Sequence, residues 1–339
     1  MPELRQDPTT KDWVVIASER SRRPDQFKRE QAPLSQTTGP CPFCPGNEHL
    51  TPPTIAELGG EKSWKVRVVA NKFAAFEPSV RHPSHLRGFF NSQDAYGHHE
   101  VVIETPEHGT SLGRIDISGV RAILRVYRER HLALQRDSKV KLVLAFRNHG
   151  ISAGASLAHP HSQIIGTPII PPGIRRKYEA AIRYFDDTQD CVYCAVRDEE
   201  LKDGRRLILE TRFLTVFHPF ASQVPFETWI IPKRHNPSFV NAEGHELDDL
   251  ALSLRAVLGA MYAALGNPDY NLIIHTAPVE DEHKPYFLWH VEIRPRLATP
   301  AGFELGTGMF INTAVPEETA TYFRPLVAQE TEKLTREAA

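Results

Sequence analysis

Four cysteines fall into two Cys-x-x-Cys pairs, Cys41/Cys44 and Cys191/Cys194. Two thiolates held on a tight turn grip one borderline-soft cation, and two imidazoles complete a tetrahedral set for zinc. The first pair lies in Cys41-Pro42-Phe43-Cys44-Pro45-Gly46-Asn47, where flanking Pro and Gly predict such a knuckle. The other chemically loaded stretch is His159-Pro160-His161-Ser162-Gln163. In extended backbone, residues two apart share a face, so His159, His161 and Gln163 line up, and Pro160 biases His159 toward that geometry. Just before them, Gly154, Ala155 and Ser156 are small enough for backbone N–H groups to approach an anion, which predicts a phosphate cradle.

The elements that must position these groups repeat along the chain. Each half reads as a Cys-x-x-Cys, short strands, a histidine beside a proline-containing turn, a long amphipathic helix, a strand, a loop, and a strand carrying a histidine. The helices fall at 116–137 and 243–265, with apolar stripes through Val120, Leu124 and Tyr127 and through Leu250, Leu254 and Met261. The boundary falls near residue 170, giving units 1–170 and 171–339. Superposing the halves supplies each cysteine pair with two histidines. The sets are Cys41, Cys44, His108 and His159, then Cys191, Cys194, His235 and His290. Four protein ligands make a closed site, so both zincs are expected to be structural.

If His159 holds metal, His161 stays free. On this alignment His290-Val291-Glu292 keeps the ligand and replaces the second histidine, which puts a single active centre in the first half. A neutral imidazole is a good nucleophile toward phosphorus and a good leaving group afterwards. Gln163 offers an amide to a phosphate oxygen and cannot act as a general base, so the site suits group transfer better than hydrolysis.

Composition sets the outer bounds. With 339 residues, 41% hydrophobic and 24% charged, the chain is an ordinary globular protein of one or two domains. A net charge of −2 provides no basic footprint for nucleic acid. No apolar run approaches the roughly 20 residues of a membrane span. The first residues lack a secretory apolar core, so the cytoplasm is expected, where paired cysteines point to metal rather than disulfides.

Taken together, His159-Pro160-His161-Ser162-Gln163 after Asn148 and Gly154-Ala155-Ser156 resembles the active-site motif of the galactose-1-phosphate uridylyltransferases, in the histidine-triad superfamily. Other stretches follow in family order: Asp7-Pro8-Thr9-Thr10, Arg20, Arg23-Pro24, Cys41-Pro42-Phe43-Cys44, Val66 to Asn71, Pro106-Glu107-His108, and Phe303 to Asn312. The resemblance implies an α+β fold of two tandem histidine-triad-like half-domains, antiparallel sheets with packed helices, in a homodimer. It implies a double displacement through uridylyl-His161, with a nucleotide-sugar and a hexose 1-phosphate as substrates. Carried over by position, His161, Gln163 and Ser156 are catalytic, and Arg20, Arg23 and Asn148 contact the phosphates. Asn71 approaches the nucleoside, while Gly302, Gly306 and Thr307 help to close the site. Two departures stand out. Lys72 follows Asn71 where many members have Asp, and Cys191 with Cys194 resembles a two-zinc branch that includes ADP-glucose phosphorylase-like enzymes, which use adenylyl groups and inorganic phosphate. The main expectation is therefore uridylyl transfer. Adenylyl transfer is the alternative, and a non-catalytic zinc- or nucleotide-binding module the remaining one.

Overall fold

The architecture is that of a computed structural model, which describes residues 1–17, 24–27, 39–59, 63–79, 85–87 and 89–338. The first half contributes β1 (Glu3–Gln6), β2 (Trp13–Ile16), β3 (Thr54–Leu58), β4 (Val66–Ala70), β5 (His85–Arg87), β6 (Phe90–Ser92), β7 (His98–Ile103), α1 (Ile117–Leu134), β8 (Leu142–His149) and β9 (His161–Thr167). The second contributes α2 (Pro172–Thr188), α3 (Val192–Asp203), β10 (Leu207–Glu210), β11 (Leu214–Phe217), β12 (Thr228–Pro232), α4 (Gly244–Leu265), β13 (Tyr270–His275), β14 (His290–Pro295), α5 (Gly302–Thr307), β15 (Phe310–Asn312) and α6 (Pro316–Ala338).

The long helices start where capping chemistry allows. Asp116 accepts a hydrogen bond from the Gly119 N–H at 2.7 Å and so satisfies one orphan donor of α1. Glu246 reaches back to the Glu243 N–H at 2.8 Å at the start of α4. Gly266, left-handed at φ 74°, stops α4. The predicted stripes are buried, and α4 is apolar on most sides because it packs against both α1 and α6.

One antiparallel sheet of ten strands carries the molecule, in the order β10-β11-β12-β14-β13-β8-β9-β7-β4-β3. The order is palindromic about the β13–β8 seam, where Tyr270 faces His149 and Ile274 faces Ala145. Reflection across the seam exchanges β9 with β14, β8 with β13 and β7 with β12. Side-chain alternation then sorts the two faces. Val66, Val68, Val102, Val143, Ala145 and Ile164 join the main core with the helices. Val69, Val101 and Ile103 turn to the other face, under Phe43 and Trp64. On that second face His161 and Gln163 alternate with Ile164. A small sheet, β1-β2-β15, stands apart. No helix of the described residues is long and apolar enough to cross a membrane.

Candidate functional site: two Cys/His centres and a loop-held histidine

The first knuckle folds as a turn, with the Asn47 side chain donating to the Cys41 carbonyl at 2.8 Å. It meets His108 just beyond β7 and His159 just before β9. His108 Nδ1 lies 3.4 Å from Cys44 Sγ, and His159 Nδ1 lies 3.6 Å from Cys44 Sγ and 3.8 Å from Cys41 Sγ. A zinc tetrahedron with ordinary Zn–S and Zn–N lengths has S···N edges of about 3.5 Å, so this donor set fits the ion. His159 Nε2 donates to the Thr105 carbonyl at 2.7 Å, which leaves Nδ1 bare for a metal. Burial pushes the His159 imidazole down to about 4, keeping it neutral as a ligand must be.

The second centre corrects the expectation. Cys191, at the start of α3, Cys194 and His235 gather within 4.8 Å of one another, and His290 is not among them. Its Nδ1 donates to the Leu288 carbonyl at 3.0 Å, and its ring stacks at 4.9 Å on Tyr193, 5.0 Å on Trp229 and 4.7 Å on His275. The physical reason is register. β14 opens at His290, as β9 opens at His161, and His161 Nδ1 donates in the same way to the His159 carbonyl at 2.9 Å. His290 therefore stands opposite His161, Glu292 opposite Gln163, and Leu288 opposite His159. The second half keeps an imidazole at the position of His161, but wholly buried, with Glu292 bound to His275 at 2.7 Å.

His161 itself is held for chemistry. With Nδ1–H donating to a carbonyl, Nε2 carries the lone pair. Burial first, then the Arg147 guanidinium, lowers its pKa and keeps the ring neutral. Arg147 is buried beneath it, paired with Glu104, and donates to the His161 carbonyl at 3.2 Å. Tyr127 and Tyr270 each bond this pair at 3.2 Å. The signal for this support was a lone arginine directly after the apolar run 140–146.

The loop before His161 turns on Gly150 and Gly154, at φ 84° and 90°. The second half pins it. Ser152 donates through N and Oγ to Asp269 at 2.7 and 2.6 Å, and Asn271 donates to Asn148 Oδ1 and the Ala153 carbonyl, both at 2.9 Å. A Cβ at Gly154 would point toward Asn148 Nδ2, 3.7 Å away, so the absent side chain keeps that amide open. The backbone cradle predicted here is partly closed. The Gly154 and Ala155 N–H groups bond the loop's own Ile151 and Gly150 carbonyls, at 2.9 and 3.0 Å. What faces outward is Ser156, which is exposed.

Gln163 is oriented by a residue that sequence reasoning missed. Its Oε1 lies 2.7 Å from His99 Nε2, and His99 Nδ1 accepts the Ala75 N–H at 3.0 Å. A bare Nδ1 forces the proton onto Nε2, so Gln163 must present its oxygen to His99 and its NH₂ to the open side. Asn71 Nδ2 sits 3.0 Å from the same His99 nitrogen and finds a donor there, while Asn71 Oδ1 accepts the Phe73 N–H at 2.9 Å. Lys72 beside it is exposed. His99 carried no sequence signal beyond being a polar residue in a strand. Arg20 and Arg23 lie outside the described residues. Gly302, Gly306 and Thr307 sit on exposed α5, next to β15 of the small sheet; the Thr307 hydroxyl bonds Phe303 O at 2.7 Å, and none of the three bonds the His161 loop.

Known proteins match this arrangement. Residues 1–171 match the family described as galactose-1-phosphate uridyl transferase, N-terminal domain, and residues 107–336 match a domain of unknown function. ADP-glucose phosphorylase of Arabidopsis thaliana is 35% identical over 95% of this chain and 92% of its own length. Galactose-1-phosphate uridylyltransferase of Thermotoga maritima is 29% identical over 96% of this chain and 98% of its own. A crystal structure of the Arabidopsis phosphorylase with bound ADP-glucose superposes with a TM-score of 0.82, at 33% identity, covering 96% of this chain and 99% of that one. A uridylyltransferase structure gives 0.77 at 28%, covering 97% and 99%. The fold, antiparallel sheet included, agrees with these relatives over nearly the whole chain, and the chain belongs to the galactose-1-phosphate uridylyltransferase family of nucleotidyltransferases, within the histidine-triad superfamily.

Proposed function

We propose that this enzyme transfers an adenylyl group from an ADP-sugar to inorganic phosphate through an adenylyl-His161 intermediate. The observation that carries the covalent step is the hydrogen bond from His161 Nδ1 to the His159 carbonyl, 2.9 Å long, which leaves Nε2 as the nucleophile. Nε2 attacks the α-phosphorus. The N–P bond forms as the bond to the bridging oxygen breaks, and sugar 1-phosphate leaves. The Nδ1–H···O=C bond steadies the positive charge that develops on the ring. An acceptor phosphate oxygen then attacks the same phosphorus, breaks the N–P bond and releases ADP with a neutral His161. The Gln163 NH₂, Asn148 and Ser156 hold phosphate oxygens during both displacements, with Arg20 and Arg23 as further phosphate contacts. The acceptor arrives already anionic, so the second displacement needs no general base.

The adenylyl assignment is supported by the 35% identity to an ADP-glucose phosphorylase over nearly the whole chain. Uridylyl transfer to a hexose 1-phosphate is the second reading, favoured by the full-length match to the Thermotoga uridylyltransferase. Two zinc ions, one per half, shape loops and take no part in the displacement. The units 1–170 and 171–339 divide the work: the first carries His161 and the second anchors its loop. A homodimer is the proposed assembly. The decisive experiment is intact-protein mass spectrometry after exposure to ADP-glucose or UDP-glucose without acceptor. An adenylyl adduct that disappears with phosphate supports the proposal, and a uridylyl adduct alone replaces it with the second reading. No adduct from either sugar overturns the covalent mechanism.

A further inference from the structure

The two metal centres are built from the same parts, with one exception. In the first, the residue two before the strand-opening imidazole is His159, and its ring joins Cys41, Cys44 and His108. In the second, the residue two before the strand-opening imidazole is Leu288. The equivalence rests on hydrogen bonds rather than on spacing alone. The carbonyl of His159 accepts from His161 Nδ1 at 2.9 Å, and the carbonyl of Leu288 accepts from His290 Nδ1 at 3.0 Å. The strands that follow them exchange places across the β13–β8 seam.

Leu288 is wholly buried and packs in one apolar cluster with Cys191, Cys194 and Phe287. So the side chain standing where a ligand belongs has no donor atom. His290 does not replace it: its Nδ1 is bonded to the Leu288 carbonyl, its Nε2 is unpartnered but does not reach the cysteines, and its ring is held between Tyr193, Trp229 and His275. Among the described residues, Cys191, Cys194 and His235 are the whole cluster.

We propose that the second centre binds its metal through these three protein donors and leaves the fourth position to an exogenous ligand, bounded by Leu288. This rests on the zinc reading given above. Three donors with an exchangeable fourth are the arrangement of catalytic zinc sites, whereas four protein donors close a structural one. Zn²⁺ with two thiolates is neutral overall. An apolar wall then disfavours an added anion and favours a small neutral donor such as water or, where space is made, imidazole. The centre with three protein donors also loses its ion faster, since one fewer protein bond must break.

The test measures zinc release from the fully loaded protein into excess chromogenic chelator, with no assay of turnover. Two equivalents are expected, one leaving at least tenfold faster than the other, and Cys191→Ser abolishes the fast phase only. Leu288→His converts the fast phase to a slow one. Leu288→Gly, which makes room without adding a donor, keeps the fast phase until imidazole is added and then slows. Release of both equivalents at one rate overturns the inference while leaving the zinc reading intact. So do unchanged phases in Leu288→His together with no imidazole effect in Leu288→Gly. A protein with one equivalent, held by Cys41 and Cys44, also overturns it. A protein with no zinc overturns both.

Discussion

At the scale of single residues, one imidazole reacts and a second orients its neighbour. His161→Ala is expected to abolish adduct formation while zinc content and melting temperature stay near wild type, checked by mass spectrometry and thermal unfolding. His99 gives a sharper prediction. It touches no substrate in the proposed mechanism; it fixes which end of the Gln163 amide faces the phosphates. Without it the amide rotates freely and presents oxygen to oxygen part of the time. His99→Leu should therefore lower kcat by roughly tenfold to a hundredfold with little change in KM for the nucleotide sugar, the signature of lost transition-state positioning. His99→Gln keeps an N–H donor and should recover part of the loss. Equal rates in His99→Leu, His99→Gln and wild type would remove His99 from the mechanism.

At the scale of elements, the loop before His161 is the part least free to vary. Gly150 has φ 84°, and a Cβ there would lie 1.8 Å from Asp269 Oδ1. Gly150→Ala must displace either the loop or Asp269, which also holds Ser152. A stability loss of about 1–3 kcal/mol is expected from the strained backbone, with a larger fractional loss in the rate of adduct formation. Gly173→Ala, in the first turn of α2 with nothing within 4 Å, is the control and should change neither. The knuckle allows a parallel test. His159→Ala should release the first zinc and lower the melting temperature, because a closed site contributes folding free energy, on the order of 10 kcal/mol in small zinc domains. Much of this level was legible in advance. Period-3.6 stripes located α1 and α4 within a few residues, and the apolar run at 140–146 located β8. The start of β14 was not legible. Phe287, Leu288 and Trp289 continue the apolar run, and such a run does not reveal where a ladder begins. The resulting slip of two residues assigned His290 to the metal and hid Leu288.

At the scale of the whole molecule, the duplication was readable from the order of its parts, whereas the dependence of one half on the other was not. Asp269, Asn271 and the β13–β8 seam bind the second half to the loop of the first, and such long-range partners leave no local pattern. The same close packing buries several neutral imidazoles, which makes global stability depend on pH. Burial pushes His131 and His149 down to about 4 and His218 to about 3. Unfolded histidines titrate near roughly 6.5, so between that pH and the folded values the unfolded chain binds more protons. A depressed imidazole therefore contributes its full stability above about pH 6.5 and loses it as pH falls through the folded value near 4. His131 isolates the effect. It lies on the buried stripe of α1, its Nε2 has no hydrogen-bond partner, and the nearest carboxylate, Glu282, is 3.9 Å away. A shift from 6.5 to about 4 corresponds to about 3 kcal/mol for this one group. Urea unfolding at pH 7, 6, 5 and 4.5 should show a steady loss of stability in the wild type. In His131→Leu, which fills the site without a titrating group, the slope should be shallower by up to that amount, with near-equal stability at pH 7. An unchanged slope would mean that the helix opens locally to admit the proton before the molecule unfolds.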